Sequence, residues 1–90
     1  MRIIYDPKFV SKVKEIRDYI AKDSEVRAEL FLSELQSHIE DIPVFPYKFR
    51  QSKWFKNEDI RDLVFKGYTI PYWIQKDKIV VLDIFKWIDR

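Results

Sequence analysis

The chain is 90 residues long, 47% hydrophobic, 17% aromatic and 36% charged, with a formal net charge of +2. That length sets a single domain, 1–90, near the small end of what can hold a core, and that composition excludes a disordered or low-complexity chain. The absence of Cys excludes a disulfide framework and a thiolate metal site, one His makes no metal site, and no apolar run approaches the ~20 residues of a membrane span.

The elements follow in chain order. Arg2–Tyr5 reads as a short strand. Asp6-Pro7 is a strong helix start, with Asp as N-cap and Pro at the first helical position, where its missing N–H costs nothing. Phe9, Val13, Ile16 and Ile20 then recur at helical spacing and form one apolar stripe. Lys22-Asp23-Ser24 breaks the helix, and either Asp23 or Ser24 can cap the next one. The second helix places Ala28, Phe31, Leu32, Leu35, Ile39 and Ile42 on one face, until Pro43 and Pro46 end it. Two amphipathic helices with so short a break form an antiparallel hairpin, and both stripes need a sheet to cover.

Residues 43–58 make a long connection whose aromatic content says that parts of it pack down. Three strands follow as an antiparallel meander: Ile60–Phe65, Tyr68–Gln75 and Ile79–Phe85. Lys66-Gly67 and Lys76-Asp77-Lys78 are the turns, and Gly67 supplies a positive φ for the first. Tyr68, Ile70, Tyr72 and Ile74, with Val80, Leu82 and Ile84, are expected under the helices. Thr69, Pro71, Trp73 and Gln75, with Val81, Asp83 and Phe85, are expected on the opposite, open face. Pro71 cannot donate to a ladder, so in an interior strand it predicts a bulge or a frayed pairing. The fold class is therefore α+β in two layers: an N-terminal strand, a helical hairpin and a three-stranded meander.

Charge divides unevenly. Residues 1–45 carry 7 Lys/Arg against 9 Asp/Glu, and residues 46–90 carry 10 against 6. The basic half is also the aromatic half. Such a surface suits an acidic partner or nucleic acid, although this excess is also ordinary for a solvated surface. Asp6 interrupts the first apolar run, so no signal peptide is expected. A small chain without disulfides is expected to work in a reducing cytoplasm.

The order strand–helix–helix–meander resembles the ParE/RelE superfamily of toxins from bacterial type II toxin–antitoxin modules. The residues that carry the resemblance are Tyr5 and Pro7, the stripe Ala28, Phe31, Leu35 and Ile39, and the stretches Phe45–Lys53, Asp59–Val64, Gly67–Gln75 and Ile79–Phe85. Together they cover essentially the whole chain. The resemblance implies one of two activities. RelE-like members are ribosome-dependent ribonucleases with basic residues on the meander and a catalytic Tyr or His near the C-terminus. ParE-like members lack that set and poison DNA gyrase. Both are neutralised by an antitoxin that wraps the toxin.

Here Thr69 stands where a basic residue after Gly67-Tyr68 is expected, and the chain ends Lys86-Trp87-Ile88-Asp89-Arg90 without Tyr or His. RNA cleavage needs a base for the 2′-hydroxyl, an acid for the leaving oxygen and cations for developing charge. Arg50, Lys53, Arg61 and Lys86 offer a phosphate clamp, and Arg90 is a further cation. Asp83 would serve as a base only with a raised pKa. His38, on the second helix, is expected to be remote from the meander. The resemblance thus implies the ParE-like side, with no catalytic residues and no cofactor. Pro71 and Trp73 depart from the usual pattern. A RelE-like mRNA interferase and an inactive, antitoxin-binding member are the alternatives.

The expected partners are a cognate antitoxin with an acidic, partly disordered segment, and gyrase or the ribosome as target, with no membrane. The toxin is expected as a homodimer or in a heterotetramer with the antitoxin. The antitoxin segment would add along a free sheet edge or lie across the open face. Candidate contact residues are Arg61, Trp73, Asp83, Phe85, Trp87 and Arg90. Arg61 reads equally as one half of an ion pair with a neighbouring strand. Trp54 and Phe55 are expected to pack on the sheet edge.

Overall fold

A computed structural model describes residues 1–86. The elements are β1 (Arg2–Tyr5), α1 (Pro7–Ala21), α2 (Glu25–Glu40), a 3-10 turn (Ile42–Val44), β2 (Ile60–Phe65), β3 (Tyr68–Ile74), β4 (Lys78–Val81) and β5 (Phe85–Lys86). The α+β architecture is as expected: a helical hairpin packed on one face of a single sheet. The strand order is β1-β4-β3-β2, with β5 beside β3. β1 runs parallel to β4 and the other pairs are antiparallel.

Local chemistry sets the helix ends. The Asp6 carboxylate accepts from the Lys8 N–H at 2.8 Å, with Pro7 directly behind it. Ser24, rather than Asp23, caps α2, its hydroxyl accepting from the Arg27 N–H at 3.1 Å. Each cap satisfies a donor that the first helical turn leaves unpaired. Arg17 ties the two helices together, reaching Glu25 at 2.6 Å and Glu29 at 3.0 Å. Ala28, Phe31, Leu35 and Ile39 are buried, with Leu32 partly so. Ile42 is buried too, but in the 3-10 turn, because Pro43 ends the α-helix. No helix among the described residues is long and apolar enough to cross a membrane.

The β2–β3 hairpin turns on Lys66 (φ 49°) and Gly67 (φ 83°), two left-handed residues in succession, which matches the right-handed twist of the strands. A Cβ at Gly67 would meet nothing within 4 Å, so only backbone strain opposes one. Gly67→Val is expected to lower stability by about 1–2 kcal/mol. Equilibrium urea unfolding checks this, and an unchanged midpoint would contradict it.

The last strand differs from the expectation. It is not continuous over Ile79–Phe85, and β3 ends at Ile74 rather than Gln75. β4 pairs with β3 as Tyr72↔Val81, Trp73↔Val80 and Ile74↔Ile79, whereas β5 pairs as Thr69↔Phe85 and Tyr68↔Lys86. Three residues, Leu82–Ile84, therefore lie opposite two, Ile70 and Pro71. The Leu82 N–H donates to the Pro71 carbonyl at 2.9 Å, but Pro71 has no N–H to return. The ladder opens there into the bulge that Pro71 implied.

The bulge also decides what faces the helices. Ile79 and Val81 are buried beneath them, while Val80 sits on the opposite face beside Trp73, the reverse of the expected parity. The extra residue then brings Ile84 back into the core, as expected. The run Ile79-Val80-Val81-Leu82 is apolar throughout, so its period cannot show which side is inward.

The connection packs down as its aromatics implied. Gln51 forms a bridge with Arg61, the Asp62 N–H donates to the Arg50 carbonyl at 3.1 Å, and the Ser52 N–H donates to the Ile60 carbonyl at 2.8 Å. This covers the outer edge of β2. Tyr72 is buried and donates its hydroxyl to the Pro46 carbonyl at 2.6 Å, and burial pushes that hydroxyl's pKa well up. It therefore stays a neutral donor that holds the connection down.

Candidate interaction surface

The sheet has two faces of different character. Under the helices lie Leu63, Phe65, Ile70, Tyr72, Ile74, Ile79 and Val81, all buried. On the other face the registers place Ile4, Val80, Trp73 and Ile60 in one row across β1, β4, β3 and β2. Ile60 is buried, but Ile4 and Trp73 are each 39% exposed. This row is an apolar ridge on the open face, and an exposed Trp in such a ridge is a natural anchor for a protein partner. Trp73 therefore stands where the sequence placed it.

The other candidate residues divide between the two faces. Arg61 lies opposite Tyr72, on the helix side, at the end covered by the 45–50 loop. Its Nε donates to the Glu58 carbonyl at 3.0 Å and its Nη1 to the Phe49 carbonyl at 3.0 Å and the Tyr47 carbonyl at 3.4 Å. Its guanidinium also stacks over the Tyr47 ring at 4.8 Å. Arg61 thus holds the loop; it forms no ion pair with a neighbouring strand among the described residues.

Arg50 lies 3.7 Å from the carboxylate of Asp62, whose side chain is fully buried on the open face. The Lys53 N–H reaches the same carboxylate at 3.4 Å. Phe85 follows Thr69 onto the open face, where Trp54 meets it edge-on at 5.4 Å. Trp54 is half exposed, so it packs on β5 and still presents a face to solvent. Lys86 lies on the helix side, over the Tyr68 ring at 5.0 Å. Trp87 and Arg90 fall outside the described residues.

Asp83 does not point to the open face. The bulge turns it toward α1, where it meets Lys12 at 2.9 Å and Lys8 at 3.4 Å, and its own carboxylate accepts from the Ile84 N–H at 2.8 Å. Partial burial alone would raise its pKa, but the Lys12 hydrogen bond, the Ile84 amide and the charges of Lys12 and Lys8 outweigh that and hold it below the usual carboxylate value. A general base at neutral pH needs the opposite shift. A lowered pKa adds stability that is complete above the unfolded value of about 4 and is lost as pH falls through the folded value. Asp83→Asn is therefore expected to flatten the fall of the thermal midpoint below about pH 4. Parallel midpoint-versus-pH curves for the two proteins would contradict this.

His38 is nearer the meander than expected. Its ring lies 5.0 Å from that of Phe65 on β2, and its Nδ1 is 2.8 Å from the Glu34 carbonyl, so Nδ1 carries the proton. The sequence placed His38 by helix position alone, and the crossing of α2 over the end of β2 is a tertiary fact. Two buried oxygens on the open face, Asp62 Oδ1 and Thr69 Oγ1, have no hydrogen-bond partner among the described residues. Nothing in their sequence spacing marked them. No cluster of His, Cys, Asp and Glu among the described residues is arranged to hold a metal.

The comparisons with known proteins agree with this architecture. The family model for the ParE toxin of the type II toxin–antitoxin system parDE matches residues 3–86. The sequence finds no match among the curated proteins. In three dimensions the chain is similar to one from the chromosomal ParDE TA system of P. aeruginosa, with a TM-score of 0.78 and 13% identity. The alignment covers 98% of this chain and 97% of that one, and at that identity the likeness is one of fold.

Proposed function

The chain belongs to the ParE toxin family of type II toxin–antitoxin systems, and from that membership we propose that it arrests growth by binding DNA gyrase, without cleaving RNA, until a cognate antitoxin neutralises it. The observation that carries the non-cleaving reading is the separation of Arg50 from Arg61 and Lys86, cations that a ribonuclease would need together. Arg61 and Lys86 lie on the helix side of the sheet, while the Arg50 guanidinium approaches Asp62 on the open face. A phosphoryl group in transfer needs its positive charges on one side, at hydrogen-bond range. Among the described residues, the acid near the meander's end, Asp83, is held in its ionised form by two lysines. What remains on the open face is a binding surface rather than a reaction centre: an apolar ridge of Ile4, Val80 and Trp73 with cations around it.

The test is induction of the chain alone in growing cells, and then together with a cognate antitoxin. Arrest that the second protein relieves is the expected result, and unimpaired growth on induction of the chain alone would sink the proposal. Trp73→Ala is expected to weaken the purified toxin–antitoxin complex by at least ~1–2 kcal/mol, roughly 10-fold, in a calorimetric titration. Its thermal midpoint should change little, because the side chain is partly exposed already. Unchanged affinity would remove Trp73 from the interface.

A further inference from the structure

α2 carries apolar side chains on the side that water reaches. Val26 and Leu30 are 69% and 53% exposed, although Ala28, Phe31, Leu35 and Ile39 already give the helix its core stripe. Val26, Leu30, Ser33 and Ser37 recur at helical spacing and form a second stripe opposite the first. None of the four is charged, and Ser33 turns its hydroxyl back onto the Leu30 carbonyl at 3.2 Å. Beside this stripe, between α2 and the β2–β3 turn, lies a groove of about 350 Å³ lined by Ile20, Arg27, Leu30, Phe31, Glu34 and Lys66. Leu30 is therefore both a knob on the surface and one wall of the hole next to it.

The charges that flank the stripe are placed symmetrically. Glu34 pairs with Lys66 at 2.6 Å, and Arg27 makes no ion pair with another described residue. Arg27 and Glu34 stand two turns apart, about 10 Å, along one side of the helix, and the point midway between them falls between Leu30 and Phe31. A two-fold axis through that point, square to the helix, lays a second α2 antiparallel on the first. It sets each Arg27 against the second copy's Glu34, and each Leu30 against the groove beside the second copy's Phe31. A parallel copy would instead oppose Arg27 to Arg27 and Glu34 to Glu34. With Arg27 and Lys66 on either side of Glu34, the face has no single sign of charge to draw a strongly acidic or strongly basic partner.

We infer that two copies of this chain associate through this face of α2, antiparallel, as a weak and reversible dimer with its two-fold axis between Leu30 and Phe31. This association goes beyond the toxin reading, since it needs neither a target nor an antitoxin. Burial of Leu30, with Val26 beside it, supplies the drive, and the two Arg27–Glu34 pairs fix the direction. Few large apolar side chains stand at the centre of the contact, which places it among small, weak interfaces. α2 covers the face of the sheet opposite Trp73, so the dimer leaves both apolar ridges free. Two ridges carried on one particle would bind a two-fold target more tightly than either alone.

The test is sedimentation equilibrium of the purified protein from about 10 to 500 µM, beside the variants Arg27→Glu and Glu34→Arg, each alone and then mixed. The parent is expected to move from monomer toward dimer over that range. Each variant alone sets like charges against each other twice, so its dimer should weaken at least ~10-fold. In the equimolar mixture every altered charge meets its opposite on the other variant, and the dimer should return. Leu30→Ser should weaken the dimer at least ~10-fold as well, by emptying the groove. Thermal midpoints at low concentration should match the parent's, because these side chains are exposed and Glu34 loses only a surface pair. A parent that stays monomeric throughout would overturn the inference, and so would a dimer that Arg27→Glu or Leu30→Ser leaves intact. Variants that fail alone and fail again when mixed would overturn the antiparallel pairing. None of these results depends on growth arrest, so the toxin reading stands or falls apart from them.

Discussion

Phe31→Ala is expected to remove about 3–5 kcal/mol of stability. Phe31 is the residue through which α2 grips the β2–β3 hairpin. It is nearly buried, with its ring 5.5 Å from that of Phe65 and 5.6 Å from that of Tyr68. Truncation removes the apolar area and leaves a cavity between a helix and two strands that cannot close without moving the hairpin. A domain of this size holds only about 5–13 kcal/mol in all, at roughly 0.05–0.15 kcal/mol per residue. The variant should therefore show a large drop in urea midpoint with an unchanged slope. A loss under about 1 kcal/mol would mean that α2 is not clamped to the sheet at this point.

Arg61→Ala is the second large effect, and it separates the fold from the interface. The guanidinium donates to the carbonyls of Glu58, Phe49 and Tyr47 and stacks on the Tyr47 ring. Hydrogen bonds from a charged donor and a cation–π contact are each significant alone, and partial exposure reduces them, so the expected loss is about 2 kcal/mol. Arg61→Lys should not restore it, because one ammonium cannot reproduce a fork that reaches several carbonyls. The readouts are urea unfolding and the rate of proteolytic cutting within residues 45–50, which should rise. If Arg61→Ala kept full stability but lost antitoxin affinity, Arg61 would return to the interface.

The elements whose borders rest on local chemistry were legible in the sequence. Asp6-Pro7, Ser24 and Lys66-Gly67 each carry a backbone reason for a start or a turn, and β1, β2 and both helices fall where those signals put them. The end of the sheet was only half legible. Pro71 announced a defect in the ladder, yet the defect appears on its neighbour, where Leu82–Ile84 bulge. A missing donor on one strand is settled by the register of the other, which no local pattern records. The same bulge sends Asp83 to Lys8 and Lys12, so a residue expected on the open face became a tie to α1.

The site follows the same logic. Trp73 was legible because an isolated Trp among alternating core residues must face away from the core. Arg61 was not, since its acceptors are carbonyls of residues up to fourteen positions away, and carbonyls leave no mark in a side-chain pattern.

The target is tested most directly by adding the purified protein to a gyrase supercoiling reaction and, in parallel, to a coupled translation extract in which transcript lengths are followed. Inhibited supercoiling with intact transcripts is the expected outcome. It fits a chain whose Arg50 lies on the other face from Arg61 and Lys86, and whose Asp83 is paired with Lys8 and Lys12. Cut transcripts with normal supercoiling would contradict it, and would make Arg50, Lys53, Arg61 and Lys86 the first residues to replace.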